Sequence, residues 1–352
     1  MSIIGMQFLG VNYGTGLDGK GNWSMTADNI KQHLQLARNM NANCVRVNGY
    51  DLERMKAVAD VASGLGLEVW LAPRFLNATV DVAAKQIVPF AIYAEELRKK
   101  GAKVVFMVGN ELTLDASGMM PGKTYADRAR SVGTFMRVFL APPKQLSAYP
   151  KVMRALNEQR RRTERDLNKA LGKLVHAVRR KYHGDITYAK AAWEKVKWAR
   201  FDFACMNMYL SQWNREQFVD LLASELKSTG KTAVLTEFGT ACFKGALDQG
   251  GSAWQQLADH PNLPYDEETQ IAGLTEQLRA IGKVELHGCF AWQLFEPNEK
   301  LFGITKLLPN GNLEPKRSAG ILSEFYSSWA PRRSDVTTTA PTAVNEYLRR
   351  NR

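Results

Sequence analysis

The chain has 352 residues, 45% of them hydrophobic, and a formal net charge of +12. That length can bury one large core or two smaller ones, and no run of 18 or more apolar residues offers a membrane span. The charge invites a nucleic-acid hypothesis, but it is local: Lys151 to Tyr182 holds 11 Lys/Arg against 3 Asp/Glu, residues 331–352 hold 5 against 2, and the remainder is nearly neutral.

The opening "MSIIGMQFLGVNY" lacks a basic n-region and a small-residue cleavage site and enters a strand-like pattern at once. The expectation is therefore a cytoplasmic protein. Short apolar, β-branched runs then alternate with helix-period stretches along the chain. Strands are expected at "FLGVNY" from Phe8, "CVRVN" from Cys44, "EVWLAP" from Glu68 and "VVFMVGN" from Val104. Four more are expected at "ITYA" from Ile186, "FACMNMY" from Phe203, "TAVLTE" from Thr232 and "GCFAWQ" from Gly288. Amphipathic stretches such as "ADNIKQHLQLARNM" and "DLERMKAVADVASGLG" lie between them, the second closing on a glycine as helices do. Eight strands with helices in most intervals predict a (β/α)₈ TIM barrel filling residues 1–330. A doubly wound sheet is the alternative, but "GVNYGTG" after the first strand has the glycines without the G-x-G-x-x-G spacing.

The interval between the fourth and fifth strands is unusually long. Two or three helices are expected there, with "APPK" from Ala141 as a break imposed by proline. The stretch "NKALGKLVHAVRRKY" from Asn168 reads as the barrel's own helix, and residues from about 140 to 170 as a helical insertion over or beside the mouth. Residues 331–352, containing "SDVTTTAPTAV", read as a flexible tail.

Cys44, Cys205, Cys242 and Cys289 share no metal-like spacing, and three sit in strand-like runs. Buried, reduced thiols are expected. The five histidines show no ligand pattern, so neither a metal nor another cofactor is expected. No serine stands in a G-x-S-x-G context, which argues against an esterase.

Two strands end on a carboxylate. "VVFMVGNEL" delivers Glu111 at the end of the fourth, and "TAVLTEFG" delivers Glu237 at the end of the seventh. In a parallel barrel the carboxyl ends of all strands open on one face, and that face carries the site. Two carboxylates converging there are the minimum equipment for glycosidic hydrolysis. One protonates the leaving oxygen, and the other attacks the anomeric carbon or activates water.

"GNEL" closing a fourth strand and "TEFG" closing a seventh resemble the signature of the clan A glycoside hydrolases, retaining enzymes on a (β/α)₈ barrel. The likeness covers roughly Phe8 to Tyr326, and the order and strand placement of the motifs carry most of it. It implies that Glu111 is the general acid/base and Glu237 the nucleophile. By the same likeness Arg46, in "VRVN", lies under the nucleophile, and Asn110 binds the sugar 2-hydroxyl. Tyr209, ending "MNMY", would hydrogen-bond the nucleophile, and Trp292, in "FAWQ", would form the platform under the sugar at the cleavage point. The pair would then stand about 5 Å apart. The arginine and tyrosine would hold Glu237 ionised, and its charge would raise the pKa of Glu111. "TYAKAAWEKVKW" and "TEFGTACFKGALDQGG" are also similar to a group of bacterial proteins labelled abortive-infection proteins, a label that states no chemistry.

Further candidates surround this set. Trp193 and Glu194, after the fifth strand, would face the cleft, either touching substrate or anchoring a loop. Trp23 and Trp213 sit on loops near the mouth, Asn12 lies on the first strand, and Glu296 and Asn298 follow the eighth. The expected activity is that of a retaining glycoside hydrolase or transglycosylase, with an oligosaccharide or glycoside as its partner and no membrane. A non-catalytic glycan-binding barrel is one alternative. The other is a basic, nucleic-acid-associated protein working through Lys151–Tyr182, although that basic face reads first as a solvated helix surface.

Overall fold

A computed structural model of the chain describes residues 6–16, 25–140 and 150–329. Eight parallel strands close into a barrel in chain order. They are β1 Phe8–Gly14, β2 Cys44–Gly49, β3 Glu68–Pro73, β4 Val104–Asn110, β5 Asp185–Lys190, β6 Phe203–Asn207, β7 Thr232–Phe238 and β8 Gly288–Ala291. Each lies within two residues of the segment expected from the sequence.

The strands bury both faces, so their alternating side chains build two cores. Inside the barrel, Phe8, Trp70, Phe203 and Phe290 interlock with ring centroids 4.8 to 5.6 Å apart. Val105, Met107, Cys205 and Val234 fill the same layer. Gly10 makes room for Phe290, since a Cβ there would stand 2.3 Å from the ring. Outward-facing Val45, Val47, Val69, Leu71, Phe106 and Val108 pack beneath the helices. The inner apolar layer fills the amino end of the barrel and leaves the carboxyl end to polar groups.

Helices Ala27–Asn39 and Leu52–Gly64 start where Thr26 and Asp51 accept the backbone N–H groups of Asn29 and Arg54. The second stops on glycine as expected. Gly66 has φ +74°, and the N–H of Leu67 returns to the carbonyl of Ala62 in a Schellman turn.

The interval between β4 and β5 holds the short helix Leu112–Asp115 and the longer helices Tyr125–Leu140 and Pro150–Arg179. The "APPK" break lies outside the described residues. One expectation is corrected here: the segment from Asn168 is not a separate helix but the second half of a continuous 30-residue one. No proline interrupts it after Pro150, and proline is tolerated in a first turn. Leu167, Leu171, Leu174 and Val178 form a buried stripe at helical spacing, and the helix packs against helix Val80–Lys99. Its first half carries exposed Arg154, Arg160, Arg161, Arg162 and Arg165.

After β8, the short strands β9 Phe295–Glu296, β10 Thr305–Leu307 and β11 Leu313–Pro315 form a small sheet. Runs of two or three residues carry no period, so the sequence did not suggest it. Helix Arg317–Trp329 closes the described chain. Trp23 and the tail 331–352 lie outside the described residues. The four cysteines are free and buried, and among the described residues no helix is long and apolar enough to cross a membrane.

Candidate active site

Strand alternation alone would not build this site. Val234 faces the barrel interior, so counting by twos puts Thr236 inside and Glu237 outside. One extra residue in β7 reverses that. Its partners on β6 run Met206↔Leu235 and then Asn207↔Glu237, and on β8 Leu235↔Cys289 and then Phe238↔Ala291. The bulge turns Glu237 inward beside Asn207 and sends Phe238 to the outer core. β4 uses the same device. Its pairing runs Met107↔Thr187 and then Asn110↔Ala189, which turns Asn110 inward. Glu111 follows with φ 40° and ψ 54°, a left-handed conformation that costs a non-glycine residue about 1–3 kcal/mol. Its carbonyl accepts the N–H groups of Leu114 and Asp115 at 2.7 and 3.0 Å, starting the helix Leu112–Asp115.

Directly above the apolar plug, Arg46 organises a polar layer. It is fully buried. Its Nη1 donates to Glu237 Oε1 at 2.7 Å and to Asn12 Oδ1 at 3.0 Å, and its Nη2 donates to Asn110 Oδ1 at 2.7 Å. Tyr209 donates its hydroxyl to the other oxygen of Glu237 at 2.8 Å. Glu237 therefore receives a guanidinium and a phenol, both charge-assisted donors to a carboxylate. Asn207 ties Glu111 to Asn110, donating to Asn110 Oδ1 at 3.0 Å and Glu111 Oε1 at 3.1 Å while accepting from Thr236 at 2.9 Å. Because the Asn110 oxygen is engaged from below, its NH₂ group is the part available to a ligand.

Glu111 has different surroundings. Burial is the main force on it, the negative charge of Glu237 adds to it, and the hydrogen bond from Asn207 opposes both; the net effect pushes its carboxyl up to about 8. A carboxyl shifted that far carries its proton at neutral pH.

The two acids open into one cavity of about 330 Å³. Asn110, Glu111, Asn207 and Glu237 line its polar end, and Tyr125, Trp193, Tyr209, Trp213, Trp254, Trp292 and Phe302 supply aromatic walls. Trp193 is fixed by its Nε1, which donates to Thr113 Oγ1 at 3.1 Å. Trp213 is the most open of these side chains, 62% exposed. Among the described residues, no group of three or more His, Cys, Asp or Glu is placed to hold a metal ion.

Of the residues singled out by sequence, Glu111, Glu237, Asn110, Tyr209, Trp292, Trp193 and Trp213 line this cavity, and Arg46 lies directly beneath it. Two expected substrate contacts lie elsewhere. Asn12 is buried below, with its amide donating to the carbonyls of Thr236 and Ala291 at 3.0 and 3.1 Å. Glu194 is buried beside the cavity with both oxygens occupied. One accepts from the N–H and hydroxyl of Thr113, the other from the Tyr188 hydroxyl and the Ala191 N–H, all within 3.0 Å. It anchors the segment after β5 to the segment after β4. Glu296 also turns away and accepts the N–H groups of Phe302 and Gly303. Asn298 caps its own turn through Lys300 N–H at 3.1 Å.

Several cavity residues were not singled out. Arg74 follows β3 immediately and is held by Asp115 through a two-point ion pair; its position directly after a strand was a usable signal. Asn207 was visible as a polar residue near the end of an apolar strand. Tyr125 and Trp254 sit on helices far apart in sequence, with ring centroids 5.7 Å apart, and nothing local marked them.

No family model and no curated protein matches the chain. Solved structures do. A GH113 β-1,4-mannanase superposes with a TM-score of 0.62 at 15% identity, over 92% of this chain and 99% of the mannanase. A GH2 β-galacturonidase from Eisenbergiella tayi, bound to galacturonate, gives 0.59 at 14% identity over 92% of this chain. A β-glucuronidase from Ruminococcus gnavus gives 0.57 at 16% over the same share. The chain spans about half the length of these last two, 51% and 50%. At such identities the likeness is one of fold: the chain is a (β/α)₈ barrel similar to those of glycoside hydrolases.

Proposed function

We propose that the protein is a retaining glycosidase, or a transglycosylase using the same intermediate. The observation that carries this reading is the unequal treatment of two carboxyl groups in one cavity. Glu237 is held by a guanidinium and a phenol, whereas Glu111 is pushed up to about 8. Glu237 attacks the anomeric carbon while Glu111 protonates the departing oxygen. Glu111, now ionised, removes the proton from the incoming water or acceptor, which displaces Glu237 from the sugar. Arg46 and Tyr209 fix the nucleophile's oxygens, Asn110 offers its NH₂ group to the sugar 2-hydroxyl, and Trp292 forms a platform beneath the ring, with Trp193 as a further wall. Asn12 supports Arg46 from below. The barrel architecture and its likeness to glycoside hydrolases support the same reading.

Trapping with a panel of 2-fluoro glycosides bearing good leaving groups, followed by peptide mapping, tests it. The label is expected on the peptide containing Glu237. A label on another residue removes the assigned roles. Absence of any label, together with no cleavage of aryl glycosides, leaves the non-catalytic glycan-binding barrel.

A further inference from the structure

The basic face of the helix Pro150–Arg179 takes no part in the catalytic cavity, yet it is not a featureless surface. It forms one wall of a second concavity, of about 440 Å³, on the barrel's flank. Arg161, Arg165 and Lys169 stand on this wall, four residues and roughly 6 Å of helical rise apart, so they share one face. The opposite wall is the segment after β5, which contributes Lys197 and Arg200. All five side chains are exposed. Asn168 ties the walls together, donating to the carbonyl of Lys195 at 2.9 Å and accepting the N–H of Lys197 at 2.8 Å. Among the described residues, Glu164 is the one acid in the lining, and Asp166 lies 3.6 Å from Arg165. Five cations spread along two walls suit a row of anionic groups better than a single ion.

A small hollow lies between the groove and the catalytic cavity. Trp193 is a wall of that cavity and also of the hollow, which is lined by Arg160, Thr163, Glu164 and Lys195. Glu164 is in turn shared between the hollow and the groove. We infer that this groove is a remote binding site for an acidic glycan, a chain bearing carboxylate or sulfate groups, which reaches the catalytic cavity past Trp193. The inference deepens the glycosidase reading, on which its catalytic half rests, by naming the substrate class. Nucleic acid would be attracted by the same charge, but single strands gain much of their affinity by stacking bases on aromatic faces. The aromatic ring in the groove, Phe201, is only 2% exposed.

Binding can be read without turnover. The full chain is run through native gels containing polygalacturonate, dextran sulfate or neutral dextran, at low and at raised salt. One or both acidic polymers are expected to retard it and neutral dextran is not, with the effect weakening as salt screens the exposed charges. The two acidic arms distinguish carboxylate from sulfate. Arg161→Glu/Arg165→Glu/Lys169→Glu should weaken the apparent affinity by about tenfold or more, and Lys197→Glu/Arg200→Glu on the other wall should do the same. Circular dichroism checks that both variants stay folded. Equal retardation by neutral dextran overturns the inference, as does full binding by both folded variants. So does a single-stranded DNA that binds more tightly than either acidic polymer and displaces it. Cleavage of small aryl glycosides by the wild-type protein is read separately. If it fails while the acidic polymers still bind, the catalytic reading falls and the binding site stands; if it succeeds without such binding, only the binding site falls.

Discussion

Glu111 and Glu237 reach the same cavity by different backbone routes, a left-handed residue just after β4 and a bulge within β7, and arrive in contrasting electrical surroundings. Both strands carry one extra residue, and each strand is thereby turned to present polar side chains inward. Around Glu237, Arg46 and Tyr209 bring a positive charge and a hydroxyl donor to the two carboxylate oxygens. Around Glu111 there is burial, a negative neighbour and one amide donor, Asn207. Backbone irregularity decides where the acids point, and burial together with the charge of Glu237 raises the carboxyl of Glu111.

The largest effect should come from abolishing one side of that contrast. Glu237→Gln is expected to lower kcat by ~10⁴-fold or more, since the proposed mechanism assigns the covalent intermediate to that carboxylate; steady-state kinetics with an aryl glycoside measure it. Glu111→Gln should cost ~10² to 10⁴-fold with substrates whose leaving group needs a proton, and far less with those, such as dinitrophenyl glycosides, that leave without one. Equal losses on both substrate types would contradict the role given to Glu111.

Arg46→Met attacks the contrast from beneath. Glu237 would then be buried without its cation, a situation that destabilises proteins by roughly 3–5 kcal/mol. Chemical denaturation should detect that loss, and Glu237→Gln in the same chain should return part of it, because the uncompensated charge is gone.

The pH dependence sharpens the comparison. Glu111 must hold its proton to act as an acid, so kcat/KM is expected to fall as pH rises through about 8. Stability follows the same sign. The folded protein holds this proton more tightly than the unfolded chain, whose carboxyl titrates near 4.5, so the Glu111 contribution is intact below that value and is lost progressively as pH rises to about 8. Glu111→Gln should therefore raise Tm relative to wild type more at pH 9 than at pH 5, and a uniform offset would contradict the shift. The smallest effect is expected from Asn207→Ala. Its hydrogen bond stabilises the charged form of Glu111, so removing it should move the alkaline limb of the activity profile to still higher pH.

Much of this molecule was readable along the chain, for definite reasons. β3 and β4 fall where "EVWLAP" and "VVFMVGN" placed them, because a strand buried on both faces must be apolar throughout and is bounded by residues that are not. Thr26, Asp51 and Gly66 marked helix ends through their own side chains or backbone freedom. The glutamates were legible as strand-terminal carboxylates within a motif, although simple alternation would have sent Glu237 outward. The basic segment was visible as charge but not as one wall of a groove, because Lys197 and Arg200 join it only after the chain returns through β5.

The sequence by itself determined the eight apolar strands, their order and the two that end on a carboxylate, since burial and helix capping act over a few neighbouring residues. Only the tertiary structure decided that Glu237 and Asn110 face inward, that Asn12 and Glu194 serve as supports, and that Tyr125 and Trp254 share a wall. Register shifts, charge pairing and desolvation depend on which distant strand lies alongside, and closure of the barrel sets that.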